Sequence, residues 1–308
     1  MDFVPQSHAN SQRLRFQDGS TIGLATWGDG QGRPVFQFHG TPGSRLELFA
    51  PEELFRERRI HLVTIDRPGY GLSDYVPISL LDWPARVAAV ADAIGVDKFA
   101  LIGISAGTPF ALAVAAALPE RATSVATAGG MAPPGNEQAW SRFGRLSRLG
   151  LNVVHRWPTL VTGFYSVALG AFHILPDQVI GLMTREDDPV DRDLLANRDF
   201  RWLVRAMISE GTRRGVRGAV HDLQLATSPW GFDLRSINQP VDIWHGTRDH
   251  TVPVSEAHRL HRLLHDSRLF VLRGEGHFLL WRHAAEVLDA LLEPVPPAPS
   301  VRAGAATR

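Results

Sequence analysis

Phe99-Ala100-Leu101-Ile102-Gly103-Ile104-Ser105-Ala106-Gly107-Thr108-Pro109-Phe110, continuing through Ala111 to Leu118, is the stretch that decides the fold. It carries no charge over twenty residues, about the length that spans a bilayer. Its small residues, however, divide a β-leaning half (Phe99–Ile104) from an Ala-rich half (Thr108–Leu118). That division reads as strand, tight turn and helix, and no membrane span is expected. Gly103-Ile104-Ser105-Ala106-Gly107 matches G-x-S-x-G, a pattern whose chemistry requires this setting. A serine on so sharp a turn sits in strained backbone, and glycine flanks it because side chains there would collide with the strand and helix. Its Oγ then projects beyond the sheet edge, and the following helix N-terminus adds partial positive charge where an oxyanion would form. Pro109 costs no intrahelical hydrogen bond in the first turn.

Working outward, short apolar runs alternate with helical segments. Strands are expected at Thr21–Trp27, Pro34–Phe38, His61–Asp66, Phe99–Ile104, Ser124–Ala128, Val241–His245 and Arg268–Leu272. Helices are expected at Arg45–Arg58, Leu80–Ile94, Thr108–Leu118, Ser255–Leu264 and Leu279–Leu292. This alternation predicts an α/β fold with a doubly wound, mostly parallel sheet. It fails between Pro133 and Trp230, which reads as helices throughout, with Trp140, Trp157, Trp202 and Trp230 among clustered Arg. Asp188-Pro189 marks one helix start, with Asp as the cap and Pro at the first helical position. The expected organisation is a core of 1–132 and 231–293, a helical lid insertion of 133–230, and a disordered tail of 294–308 rich in Pro, Ala and Gly.

A serine hydroxyl is a poor nucleophile without a base. His277, in Gly274-Glu275-Gly276-His277-Phe278, follows the last expected strand in a Gly-rich loop that can carry imidazole over the sheet. The orienting acid should leave the preceding strand, and Asp249 in Trp244-His245-Gly246-Thr247-Arg248-Asp249 meets that condition. Ser105, Asp249 and His277 follow the Ser–acid–His order expected of this arrangement. Oxyanion donors are expected from the backbone of Ala106 and from His39-Gly40-Thr41-Pro42-Gly43-Ser44. Pro42 lacks an N–H, which makes the Thr41 amide the natural second donor, ahead of its hydroxyl.

Composition excludes the main rivals. The chain has no Cys, so it holds no disulfide, thiolate nucleophile, Cys-ligated zinc or iron–sulfur cluster. Lys98 is the one lysine, and Schiff-base, pyridoxal or P-loop chemistry would need that position. Lys plus Arg and Asp plus Glu are 32 each, a balance that argues against a nucleic-acid footprint. Met1 to His8 shows neither a basic nor an apolar signal region, so a cytoplasmic location is expected. His258, His261 and His265 would share a helix face, but no metal site is expected there. Arg213-Arg214-Gly215-Val216-Arg217 reads as solvated surface on a lid helix, and at least one lid tryptophan is expected to wall an apolar pocket.

These blocks resemble the α/β-hydrolase superfamily, specifically capped serine hydrolases, from about residue 20 to 292. His39-Gly40 resembles its oxyanion loop, and Asp66-Arg67-Pro68-Gly69-Tyr70-Gly71-Leu72-Ser73 its D-x-R-G-x-G-x-S turn. Glu210-Gly211 through Leu234 is similar to a group of bacterial hydrolases, many described only by superfamily. The resemblance implies an eight-stranded sheet, a cap inserted after the sixth strand, and no cofactor. Ser105 stands where haloalkane dehalogenases and epoxide hydrolases carry Asp, which disfavours those reactions. Thr41 and Ala106 depart from the Gly-Gly and Trp of proline iminopeptidases, and Asp66 and Arg67 are expected to brace their turn. The expected function is hydrolysis of a small or medium, largely apolar carboxylic ester through an acyl-enzyme, with a small-molecule substrate as partner. The same triad would serve an amidase, thioesterase, lactonase, C–C hydrolase or acyltransferase. The alternative from another class is a ligand-binding protein on this fold with little turnover. Oligomeric state is not legible from these residues.

Overall fold

The computed structural model describes residues 10–134, 157–183 and 188–293. The expected tail of 294–308 lies outside them, as do Trp140 and parts of the 133–230 segment. Eight strands form one sheet: β1 (Ser11–Arg15), β2 (Thr21–Gly28), β3 (Arg33–Phe38), β4 (Ile60–Ile65), β5 (Phe99–Ile104), β6 (Ala122–Ala128), β7 (Val241–Gly246) and β8 (Ser267–Leu272). Their order is β1-β2-β4-β3-β5-β6-β7-β8. Only β2 runs antiparallel to its neighbours; all remaining pairs are parallel. β5 lies between β3 and β6, with Phe38 opposite Gly103 and Ala128 opposite Ile104. The carboxyl ends of three neighbouring strands therefore meet around Ser105.

Helices α1 (Glu52–Glu57), α2 (Trp83–Ala93) and α3 (Thr108–Ala117) connect the first six strands. The charge-free stretch resolves into β5 and α3, both buried throughout apart from the last residues of α3. Among the described residues no helix is long and apolar enough to cross a membrane. One core lies between the sheet and α2 and α3, around Trp83, Val87 and Phe110. The other, around Phe49, Phe55 and Leu288, lies on the opposite face.

Five helices stand between β6 and β7 among the described residues: α4 (Pro158–Ile174), α5 (Pro176–Met183), α6 (Pro189–Ala196), α7 (Arg198–Gly211) and α8 (Arg217–Ala226). As the sequence predicts, α6 opens with the Asp188 side chain accepting from the Val190 amide at 3.1 Å and Pro189 in the first turn. α7 opens on Asn197, whose side chain accepts from the amides of Asp199 and Phe200. Phe200, Leu203, Val204 and Met207 of α7 join the second core. Two buried arginines link these helices to the sheet. Arg67, after β4, holds Asp222 of α8 at 2.5 Å with both side chains almost fully buried. Arg45 Nη1 reaches Asp66 at 2.8 Å and Glu210 of α7 at 2.6 Å. Asp66 and Arg67 thus brace their turn, and Arg67 extends that bracing to α8.

Three expectations are corrected. β1 is missing from the predicted strands because Ser11-Gln-Arg-Leu-Arg is a polar edge strand with little buried apolar surface. The helix expected at Arg45–Arg58 is reduced to Glu52–Glu57, behind Pro51. The Arg45, Glu47 and Leu48 carbonyls instead accept from the side chains of Thr64, Gln37 and Trp281, which prevents helical pairing. Arg213 and Arg214 lie in the turn joining α7 to α8, not on a helix. Arg214 pairs there with Asp74, and Arg217 lies 5.0 Å over the Tyr75 ring. The last segments are α9 (Val254–Leu263), α10 (Leu279–Arg282) and α11 (Ala284–Leu291), the final pair separated at His283, where φ is −115°.

Removing one partner of a buried ion pair leaves an uncompensated charge in low dielectric. We expect D222A to lower unfolding free energy by about 3–5 kcal/mol. R214A, which breaks an exposed pair, should cost at most about 1 kcal/mol. Urea denaturation of the two variants beside the parent chain measures the contrast.

Candidate active site

The turn after β5 holds Ser105 at φ 50°, in the left-handed region. That conformation costs a residue with a side chain about 1–2 kcal/mol, and the surroundings leave little alternative. A Cβ on Gly107 would lie 2.1 Å from the Phe38 carbonyl oxygen, and one on Gly103 would lie 2.8 Å from Thr108 Cα. Glycine at both positions lets α3 start against β3 and β5, so the serine is turned outward.

The loop after β8 brings His277 Nε2 to 3.1 Å from Ser105 Oγ. On the other side of the ring, Nδ1 lies 2.8 Å from Asp249 Oδ2. Asp249 Oδ1 accepts from the amides of Thr251 (2.9 Å) and Val252 (2.8 Å). Burial opposes ionisation of Asp249, but His277 and the hydrogen bonds from His245 and His277 outweigh it and hold the carboxyl well below the usual range. An ionised Asp249 accepts a hydrogen bond from Nδ1–H, which leaves the Nε2 lone pair directed at the Ser105 hydroxyl. The structure thus brings together the three residues picked out from separate parts of the sequence.

Thr41 lines the same cavity as Ser105 and His277. Its hydroxyl is occupied: it donates to Asp222 at 3.1 Å, accepts from Arg67 at 3.2 Å and lies 3.1 Å from the Tyr70 hydroxyl. Ala106, half-buried, follows Ser105 in the tight turn at the start of α3.

Three further residues were not picked out from the sequence. Asp191 of α6 accepts from the His277 amide at 2.7 Å and the Phe278 amide at 3.1 Å, fixing the histidine loop. Its place in the first turn of α6 signalled only a dipole-compensating acid. His245 is fully buried with Nε2 3.2 Å from Asp249 Oδ2 and 2.8 Å from the Val252 carbonyl oxygen. Glu47 lines the cavity, and its Oε2 accepts from the Gly40 amide at 2.9 Å. Burial pushes its carboxyl up to about 7, although the Gly40 amide, Arg67 and His277 each favour the charged form. The misassigned helix at Arg45–Arg58 concealed this residue.

The cavity measures about 210 Å³, and its walls include Ile104, Leu195, Met207, Phe278 and Trp281. Of the predicted lid tryptophans, Trp157 and Trp202 are exposed and Trp230 is buried elsewhere. Among the described residues Trp281, from α10, is the tryptophan that lines this cavity, and Trp140 lies outside them.

A sequence model of the alpha/beta hydrolase fold matches residues 33–284. The chain belongs to that family. It is 25% identical over 297 residues to an uncharacterized hydrolase, YcgS, of Bacillus subtilis (strain 168), covering 89% of this chain and 95% of that protein. It is 26% identical over 300 residues to a 2-hydroxy-6-oxononadienedioate/2-hydroxy-6-oxononatrienedioate hydrolase of Klebsiella pneumoniae, covering 92% and 95%. Among solved structures, an esterase, RhEst1, from Rhodococcus sp. ECU1013 superposes with a TM-score of 0.67 at 21% identity, covering 92% and 98%.

The Glu47 carboxyl gives a signed pH dependence. Raised in the folded state from 4.5 to about 7, it keeps its proton in the folded chain where the unfolded chain has lost it. Its effect on stability therefore becomes less favourable as pH rises from 4.5 to 7, then levels off. Across that window the stability of E47Q relative to the parent should rise by about 3 kcal/mol. Denaturant titrations of both proteins at pH 5 and pH 8 provide the comparison.

Proposed function

We propose that this chain is a serine hydrolase that cleaves a small or medium, largely apolar carboxylic ester through an acyl-enzyme. The observation that carries the reading is the hydrogen-bonded line Ser105–His277–Asp249 opening on an apolar-walled cavity. Its volume, about 210 Å³, is below the roughly 300–1,000 Å³ typical of drug-sized ligands, which favours a compact acyl group.

In this reading Ser105 Oγ attacks the ester carbonyl while His277 Nε2 takes its proton. The Thr41 and Ala106 amides donate to the oxyanion, which collapses as the C–O bond to the alcohol breaks and His277 protonates the departing oxygen. Water, deprotonated by His277, then attacks the acyl-enzyme and releases the acid, returning the proton to Ser105. Asp249 holds the imidazole tautomer and stabilises imidazolium. Segment 133–230 serves as a lid, and Asp191 of α6 ties it to the histidine loop. No cofactor or metal enters this scheme. Hydrolysis of a C–C bond by the same residues is the second reading, favoured by the likeness to the Klebsiella hydrolase across most of both chains.

Incubation with a fluorophosphonate and peptide mass spectrometry should place one adduct on Ser105, absent from S105A. A panel of aryl esters of graded acyl length should show turnover that D249N reduces about 10⁴-fold in kcat. A folded parent chain with no adduct at Ser105, beside a reactive control, would sink the acyl-enzyme reading.

A further inference from the structure

Glu47 is a carboxyl of the cavity to which the proposed reaction gives no part. Its side chain is almost wholly buried, yet it lines the space shared by Ser105 and His277. A side-chain carbon placed on Gly40 would meet Glu47 Oε1 at 3.5 Å and Ser105 Cβ at 3.6 Å, so the carboxyl and the serine flank the same glycine. Oε2 is taken by the Gly40 amide, whereas Oε1 has no hydrogen-bond partner among the described residues. The loop makes room for this carboxyl: a Cβ on Gly43 would stand 2.4 Å from Oε2. Of the other polar side chains here, Thr251 is exposed and the rest have partners. Ser105 and His277 bond each other, and the Thr41 hydroxyl is held by Arg67 and Asp222.

We propose that Glu47 reads a hydroxyl group on the acyl part of the substrate, so that the preferred esters are those of short hydroxy acids. The inference rests on the acyl-enzyme reading and narrows its substrate class. When a ligand displaces solvent from the cavity, a carboxyl oxygen left without a partner is unfavourable, and a ligand group that bonds it avoids that loss. In this reading it lies beside the Gly40–Thr41 oxyanion loop, and the group it meets is assigned to the acyl part of the ester. The leaving alcohol departs toward His277. The choice of group follows from proton inventory. An ammonium would suit only an ionised Glu47, and a carboxylate only a neutral one. A hydroxyl both donates and accepts, and therefore fits the carboxyl in either form.

The test compares methyl butanoate with its 2-hydroxy and 3-hydroxy derivatives, following acid release at constant pH in the parent chain, E47Q and E47M. Comparing the hydroxy-to-plain ratio of kcat/KM between variants cancels intrinsic ester reactivity. In the parent chain one hydroxy ester should exceed methyl butanoate at least about tenfold, because a site built to bond a hydroxyl discriminates strongly against its absence. E47M should abolish that ratio, and E47Q, which keeps a hydrogen-bonding head, should retain most of it. A ratio that is the same in the parent chain and E47M overturns the proposal. If none of the methyl esters turns over, the same set is compared as competitors of fluorophosphonate labelling at Ser105, and equal protection overturns it. Should E47M fail to fold by circular dichroism, E47L takes its place, and loss of the ratio in E47Q as well would overturn the hydrogen-bonding role. Labelling separates the two levels: no adduct on folded parent chain rejects the acyl-enzyme reading, whereas equal ratios with labelling intact reject only the hydroxyl.

Discussion

One dihedral angle constrains much of this molecule. Ser105 is held at a positive φ, and a lone turn cannot maintain that conformation against its own steric cost. It persists because β5 is paired on both sides and α3 is packed against β3, β5 and β6. The same parallel pairing has a second effect. Strands running in one direction release their loops at one edge, so the segments after β3, β5, β7 and β8 converge. Thr41, Ser105, Asp249 and His277 lie far apart along the chain and become neighbours for that reason.

A second layer of order comes from buried charge. Arg67 donates to Asp222 and to the His39 and Gly40 carbonyls, so one guanidinium fixes the loop after β3 and the start of the β4 turn against α8. Arg45 does the corresponding work between Asp66 and Glu210. A planar fork with several donors suits such multipoint contacts, and an ammonium would not. Part of the chain's strong preference for arginine thus has a structural basis. Exposed Arg268 makes a similar bridge to Asp242, Glu293 and the Ala290 carbonyl, whereas Arg59 and Arg214 stand in single surface pairs.

Much of the architecture was legible because it rests on local pattern. The β5–turn–α3 unit, the Asp188 cap and the order of Ser105, Asp249 and His277 all follow from neighbours in the chain or from motif sequence. What escaped depends on distant contacts. Asp191 reaches the His277 amide across 86 residues, and its own surroundings resemble any acidic helix start. Residues 45–50 have helix-compatible composition, but Thr64, Gln37 and Trp281 occupy their carbonyls, and Glu47 was concealed with them. Trp281 lines the cavity from α10, where its indole donates to the Leu48 carbonyl, a contact that periodicity alone does not reveal. β1 lacked the apolar alternation that marks a strand, having only an edge to pair with.

The single lysine adds a practical property. Lys98 is exposed just before β5, whereas Ser105 follows the other end of the same strand. A strand of that length separates its ends by roughly 20 Å. Apart from the chain terminus, an amine-reactive surface has one handle on this protein, on the far side of the sheet from the cavity. Coupling through that handle would present every molecule to solution in one orientation, with its cavity facing outward.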